Sequence, residues 1–226
     1  IYDRLVGSEM CIRDRSSEFP EGAFRACVDT VPLLERDLAR GAGLGRIGKH
    51  TLLIEPRKGS WALLGVLLTT VPFEMDTPLD EDPCGTCTRC IDACPTDAIE
   101  PWKVDARRCI SYLTLEHRSA IPAELHEGLG DWLAGCDICQ EVCPHNQPTA
   151  ARANISHAEA FKPSRQGFDL LEVLGWTEED RRAAFQGSAI KRVKYDALKR
   201  NALILLTNQV CQGDLEAKSL LLEQLH

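Results

Sequence analysis

Seven of the eleven cysteines in this 226-residue chain fall into two short runs. The first is Cys84, Cys87, Cys90 and Cys94, followed by Pro95; the second is Cys136, Cys139 and Cys143, followed by Pro144. The first run reads C-x2-C-x2-C-x3-C-P, the spacing that holds [4Fe–4S] clusters in pairs. The second lacks one leading cysteine, and Cys109 is the nearby residue that can supply it. Eight thiols on separate stretches of chain must therefore converge on two compact inorganic cores, which restricts the fold more than any other feature does.

In proteins with this run, the cysteine before the proline ligates the neighbouring cluster. One cluster is accordingly expected on Cys84, Cys87, Cys90 and Cys143, and the other on Cys94, Cys109, Cys136 and Cys139. All eight thiolates are used and no iron is left open to substrate, as befits a carrier of electrons. Zinc would want C-x2-C pairs separated by a spacer, not three cysteines at successive three-residue steps. A disulfide framework would need an oxidising compartment, and nothing else in the sequence points to secretion.

The net charge of −8 argues against a protein coated in positive charge, although a local basic patch depends on distribution rather than on the sum. The longest apolar run, Trp61 to Phe73, is about 13 residues and too short to span a bilayer. Oxygen-sensitive clusters, free thiols and the lack of a membrane span together make the cytoplasm the expected location. Residues 1–15 (IYDRLVGSEMCIRDR) show no clear helix or strand period and no signal-peptide layout. They resemble translated sequencing-adaptor sequence joined to a truncated gene, and are set aside with Cys11.

The rest reads as an α+β chain in three parts. Residues 16–76 form a truncated α/β portion, 77–148 a bacterial-type two-cluster ferredoxin-like domain, and 149–226 an α-helical tail of the helical-repeat (HEAT-like) kind. A helix is expected over Thr30 to Arg40, with Asp29 or Thr30 as N-cap and Pro32 in the first turn. His50 to Glu55 and Trp61 to Thr70 read as strands around the turn Pro56 to Gly59. Further helices are expected over Asp105 to Glu116, His126 to Leu133, Phe168 to Leu174, Thr177 to Phe185, Ile190 to Thr207 and Leu215 to Leu225.

Gly43, Gly45 and Gly48 satisfy G-x-G-x-x-G, and with Lys49 they approach a P-loop. Both motifs need a strand before the glycines and a helix after them. Here the expected order is reversed, and His50 occupies the position of the magnesium-binding hydroxyl. The glycines are better read as a helix stop and a close backbone approach to something flat. His50 and His145, each beside glycine or proline, read as structural rather than as metal ligands.

Several segments, taken with the cysteines, resemble the cobalamin-dependent epoxyqueuosine reductases, which complete queuosine in tRNA. They are Cys27 to Glu35 (CVDTVPLLE), Ala42 to His50 (AGLGRIGKH), Gly59-Ser60-Trp61, Asp105 to Thr114 (DARRCISYLT), Gly135 to Gln140 (GCDICQ), and Phe185 to Asn201 with its GSAIKR core. The resemblance covers roughly residues 23–207. It departs at the N-terminus, where about a hundred further residues are expected, and at Arg46, where the family often has an aromatic residue. The resemblance implies two [4Fe–4S] clusters passing single electrons to a cobalamin that reduces an epoxide, with Asp29 donating the proton. It implies cobalamin contacts at Asp29, Leu53, Trp61, Leu64 and Ser111. It also implies a tRNA with a GUN anticodon as substrate, a low-potential electron donor as partner, no membrane, and a monomer.

Lys191, Arg192, Lys194, Lys199 and Arg200 are opposed locally only by Asp196. In an acidic chain such a patch suggests phosphate contacts, here with a tRNA stem-loop. Ile190, Val193, Leu198, Ala202 and Leu205 would form the apolar stripe of the same helix. Two other functions fit the cysteines: a corrinoid reductive dehalogenase and a plain ferredoxin-type carrier. The basic tail disfavours the first, and residues 23–72 disfavour the second.

Overall fold

The computed structural model describes residues 14–28, 31–79, 81–147 and 167–213. Cys11, Asp29, Thr30 and the helix expected over Leu215 to Leu225 lie outside them. Residues 14–18 are helical, so the stretch read as having no period is helical at its last two positions. The fold mixes helix and sheet, with three two-stranded antiparallel ribbons among the described residues.

Strand β1 (Phe24–Cys27) pairs with β4 (Val66–Thr69), Phe24 opposite Thr69 and Cys27 opposite Val66. Strand β2 (Arg46–Ile47) pairs with β3 (Leu53–Ile54). The hairpin expected around Pro56 to Gly59 is thus corrected. The turn closes, with Glu55 and Gly59 exchanging backbone hydrogen bonds at 2.9 Å. The strands on either side then find other partners, because Ser60 donates its N–H to Asn146 Oδ1 at 2.7 Å instead of extending a ladder. Trp61 to Leu64 are irregular as a result.

Helix α1 spans Glu35–Gly41, starting later than the sequence pattern suggested. Its N-cap is Leu34, with no side-chain cap, so neither Asp29 nor Thr30 caps it. Proline disfavours helical geometry in the preceding residue, and Leu33 N–H folds back onto Val31 O at 2.7 Å. The order helix, glycines, strand holds. Gly43 has φ +65°, and a side chain on Gly45 would collide with the carbonyl of Ile54. The close approach is therefore to β3 of the protein itself.

Helices α2 (Arg89–Asp92) and α4 (Ile138–Glu141) are near copies that pack on each other. Their N-cap residues, Thr88 and Asp137, have φ/ψ of −125°/8° and −121°/7°. Between them lie β5 (Ile99–Glu100), β6 (Lys103–Val104) and α3 (Ile110–Leu115). Helix α3 starts five residues later than expected because the Asp105 carboxylate accepts from Arg107 N–H and holds a turn. His126 to Leu133 is not one helix either. Two short 3-10 turns, Ala123–Leu125 and Glu127–Leu129, end at Gly130 with φ 50°.

The C-terminal described part contains α5 (Leu170–Gly175), α6 (Glu178–Ala184) and α7 (Tyr195–Cys211). Asp169 caps α5, and Thr177 with Asp180 forms a reciprocal capping box on α6. The helix expected over Ile190 to Thr207 is broken at Val193. Buried Arg181 takes the carbonyls of Lys191 and Val193 at 3.0 and 2.9 Å, withdrawing them from a helical ladder. Ala189–Arg192 is a separate 3-10 turn.

Helix α7 joins two apolar cores. Leu198 and Ala202 pack with Val173, Trp176 and Phe185, while Ile204 and Leu205 pack with Ile110, Leu113, Leu125 and Leu129. The fully buried Asn201 locks this contact, donating to the carbonyls of Thr114 and Leu133 at 2.9 Å each. Replacing Asn201 with Ala would strand two buried carbonyls, at a cost of about 3 kcal/mol. The expected outcome is a matching fall in stability in urea titrations of the helical signal. A change below about 0.5 kcal/mol, as at ordinary surface sites, would contradict this role.

Candidate iron–sulfur and substrate site

The two cysteine runs meet where α2 packs on α4. In both helices the N-cap carbonyl accepts two N–H groups, Thr88 O from Ile91 and Asp92, and Asp137 O from Gln140 and Glu141. Each terminal cysteine then follows the helix with its N–H closing a turn, Cys94 on Ile91 and Cys143 on Gln140. One local geometry, used twice, delivers the thiols.

All ten described cysteines are free. Eight of them form two neighbourhoods. Burial pushes the Cys90 thiol up, and nearby Cys84, Cys143 and Cys87 push the same way. Burial also raises Cys143, whose thiol neighbours are Cys84 and Cys87. Around the other centre, burial lifts Cys139 to about 12, with Cys136, Cys109, Cys90 and Cys94 adding to it. Cys136 is lifted to about 11 by burial, with Cys109, Asp137 and Cys94 beside it. Cys84, Cys87, Cys90 and Cys143 thus lie within electrostatic reach of one another, as do Cys94, Cys109, Cys136 and Cys139. Cys90 stands at the seam, being felt from both sides. Cys27 is buried on β1, and Cys211 is exposed at the end of α7.

This donor set suits iron–sulfur clusters. Four neighbouring thiols, half-buried or buried, cannot all ionise together unless cationic iron compensates them. Among the described residues no group of three His, Cys, Asp or Glu side chains converges on a single ion. Backbone N–H groups already point at sulfur, from Lys49 to Cys84 and from Ala98 to Cys94, each at 3.3 Å. His50 fits the same picture. Its Nδ1 accepts from Leu52 N–H at 3.1 Å, which places the proton on a buried Nε2 that has no protein partner. Burial, then His145, lowers the His50 pKa to about 4, so the ring is neutral. The His145 Nε2 bonds the carbonyl of Pro83 at 2.7 Å, and its backbone N–H bonds the Cys143 sulfur.

The segment 42–61 is fastened to the first cysteine group. Asn146 Nδ2 donates to Ser60 Oγ and to Gln140 O, both at 2.8 Å, and Ser60 Oγ donates to Gln140 Oε1 at 3.0 Å. Gly59, at φ +76°, lies so close to His145 and Asn146 that any side chain would collide with them. Of the residues expected to contact a corrin, Leu53 is buried against Gly45, Trp61 is 50% exposed, and Leu64 and Ser111 are half-buried. Among the described residues, eight of the eleven exposed large apolar side chains lie between Leu34 and Met75, with Leu63 at 92%.

The basic residues separate in space. Lys191, Arg192 and Lys194 line a cleft of about 450 Å³ with Arg118, which the sequence pattern did not single out, and with Glu178 and Asp196. Arg192 also pairs with Glu116 at 3.0 Å. Lys199 stacks over the Tyr195 ring, 4.6 Å from its centroid. Arg200 does not face solvent as a phosphate contact should. Its guanidinium donates to the carbonyls of Leu113, His117 and Ser119 and to Asn201 Oδ1, at 2.6 to 3.1 Å. Arg46 pairs with Glu81 at 2.8 Å. Arg118 could have been found only by knowing that the loop after α3 folds under the 3-10 turn.

Comparison with known proteins identifies this arrangement. Residues 83–146 match the 4Fe-4S double cluster binding domain family. Epoxyqueuosine reductase from Synechococcus sp. (strain CC9605) is 44% identical over 205 residues, 89% of this chain and 63% of that protein. Over most of its length the chain is similar to epoxyqueuosine reductases. The Escherichia coli (strain K12) epoxyqueuosine reductase is also 44% identical, over 82% of this chain and 48% of its own length. The chain thus spans about half to two thirds of the relatives it matches. A solved epoxyqueuosine reductase carrying an epoxyqueuosine-modified tRNA-Tyr stem loop superposes with TM-score 0.77 at 32% identity, over 99% of this chain and 58% of that one. The Streptococcus thermophilus enzyme gives TM-score 0.77 at 30% identity, over 95% and 55%. A Bacillus subtilis structure, solved with its aspartate-bearing catalytic loop swung out of the active site, gives 0.73 at 29%, over 92% and 54%.

The crossed grouping makes a direct prediction for the reconstituted chain. Cys94→Ala should expose Cys109, Cys136 and Cys139 to an alkylating reagent while Cys84, Cys87, Cys90 and Cys143 stay protected, as mapped by mass spectrometry. Alkylation of Cys84, Cys87 and Cys90 instead would mean that each run serves its own cluster.

Proposed function

We propose that this chain belongs to an enzyme that reduces epoxyqueuosine to queuosine at the wobble position of tRNAs with a GUN anticodon. The observation that carries the reading is a double-cluster cysteine domain with a glycine-rich segment fastened beside its first run. On this reading Cys84, Cys87, Cys90 and Cys143 hold one [4Fe–4S] cluster, and Cys94, Cys109, Cys136 and Cys139 hold the other. Removing the epoxide oxygen consumes two electrons and two protons and releases water. Bound cobalamin and the clusters would supply the low-potential electron chemistry, fed by a low-potential donor.

The chain's own residues hold and orient the groups. Asp29 lies outside the described residues, just past β1. In this reading it gives a proton to the departing oxygen, a role that a pocket carboxyl with a raised pKa performs. In support, helix α1 takes Leu34 as its N-cap, and the Bacillus subtilis relative has an aspartate-bearing catalytic loop. The exposed apolar side chains of 34–75, Trp61 among them, offer a surface for the flat corrin, with Leu53, Leu64 and Ser111 at its edge. Lys191, Arg192 and Lys194, joined by Arg118, form the cleft for RNA phosphates, with Lys199 on its flank.

The proposed division is a cofactor portion at 16–76, a cluster domain of ferredoxin type at 77–148 and a helical-repeat tail at 149–226. No described helix is long and apolar enough to cross a membrane, and we place the protein in the cytoplasm as a monomer. Anaerobic reconstitution with iron, sulfide and cobalamin should give about eight irons and retained cobalt, and the product should convert an epoxyqueuosine stem-loop. Asp29→Asn should slow that conversion by about 10²-fold or more while iron and cobalt stay bound. Full turnover by the Asp29→Asn chain would remove the acid assignment. Clusters without cobalt or turnover would leave only an electron carrier.

A further inference from the structure

Lys49 is 7% exposed, yet no carboxylate among the described residues pairs with it. Its ammonium sits inside the first cysteine loop, donating to the carbonyls of Gly85 at 2.7 Å and Cys87 at 3.0 Å. The Trp102 ring covers it, with 5.7 Å from Nζ to the ring centroid. Its own backbone N–H points at Cys84 Sγ at 3.3 Å, and its carbonyl accepts from Trp102 N–H at 3.0 Å. The side chain is thus held from both ends, with one ammonium proton left over after two carbonyls.

A buried cation needs a buried counter-charge. Carbonyl oxygens solvate an ammonium but do not neutralise it. The carboxylate on the same loop is Asp82, whose oxygens accept the N–H groups of Cys84 and Gly85. It is exposed, so solvent and salt screen it. The negative charge in the right place is that of the iron-bound thiolates of Cys84, Cys87, Cys90 and Cys143. Four thiolates around an iron–sulfur core carry net negative charge, which grows by one on reduction.

We propose that Lys49 is the fixed counter-charge of the cluster held by Cys84, Cys87, Cys90 and Cys143, and raises its reduction potential. The inference rests on the proposed crossed ligation. The step it biases is a one-electron reduction: the cluster gains one electron from the donor, no bond breaks, and no proton is needed because Lys49 already supplies the positive charge. Cluster potentials respond to net charge and to hydrogen bonds at sulfur. Removing one buried positive charge must lower the potential, since the reduced state loses more stabilisation than the oxidised state. The effect is local. The second group of thiols has the half-buried Arg108, which is turned to the carbonyl of Thr96 at 2.7 Å, and Asp137 beside Cys136. Lys49 also opens the segment that runs through Gly59 and Ser60 onto Asn146. Its charge therefore holds the arriving electron on the cluster beside the proposed cofactor portion.

The test is an anaerobic dithionite titration of the reconstituted chain followed by electron paramagnetic resonance, with iron counted in each sample. Lys49→Met keeps the length of the side chain and removes its charge, while Lys49→Arg keeps the charge. The Met variant should retain both clusters and show one of two transitions moved to lower potential. The expected size is a tenfold or larger change in the reduced-to-oxidised ratio, about 59 mV for one electron. Lys49→Arg should restore most of it, and the other transition should not move. If Met loads one cluster and Arg loads both, the charge is needed even to hold the cluster, and the same conclusion follows. Unchanged transitions with full iron in the Met variant, or loss of the cluster in both variants, would overturn the counter-charge role. Either result leaves the crossed ligation to be judged separately by cysteine protection.

Discussion

The fold is organised around the packing of α2 on α4. On the proposed ligation each cluster takes a thiol from the other cysteine run, so neither run completes a site alone and the two helices must pack together first. That requirement explains why two segments with the same local geometry occur here, with N-caps at Thr88 and Asp137 in almost the same backbone conformation. It also accords with Cys90 and Cys143 being the buried thiols of the eight.

Neighbouring segments are keyed to that pair by single polar groups. Asn146, three residues after Cys143, reaches Ser60 and fixes the glycine-rich segment. Thr114 accepts from Gly135 N–H, which ties the helix after Cys109 to the residue before Cys136. Asn201 then clamps the carbonyls of Thr114 and Leu133, joining α7 to the same region. Such keys are costly to break because their partners are buried. They fix register more sharply than apolar packing would, since a Leu at position 201 could pack but could not choose a partner.

The sequence revealed most where chemistry fixes spacing. The double-cluster cysteine pattern, the helix–glycine–strand order that excludes a nucleotide loop, and the helix beginning at Thr177 were all legible in it. It was least informative where a distant side chain redirects the backbone. Arg181 breaks the helix expected over Ile190 to Thr207, and Asn146 turns Ser60 away from a ladder. Neither event leaves a local signature. Arg200 shows the same limit for the basic patch: it reads as a surface cation, and only the fold shows its guanidinium committed to Leu113, His117 and Ser119. Lys49 was noticed as part of a failed P-loop, because nothing nearby in sequence says that it enters the loop of Cys84 to Cys87.

The decisive measurement is anomalous diffraction at the iron edge from crystals grown without oxygen. The account predicts two iron centres, one bounded by Cys84, Cys87, Cys90 and Cys143 and the other by Cys94, Cys109, Cys136 and Cys139. A centre enclosed by Cys84, Cys87, Cys90 and Cys94 would contradict it.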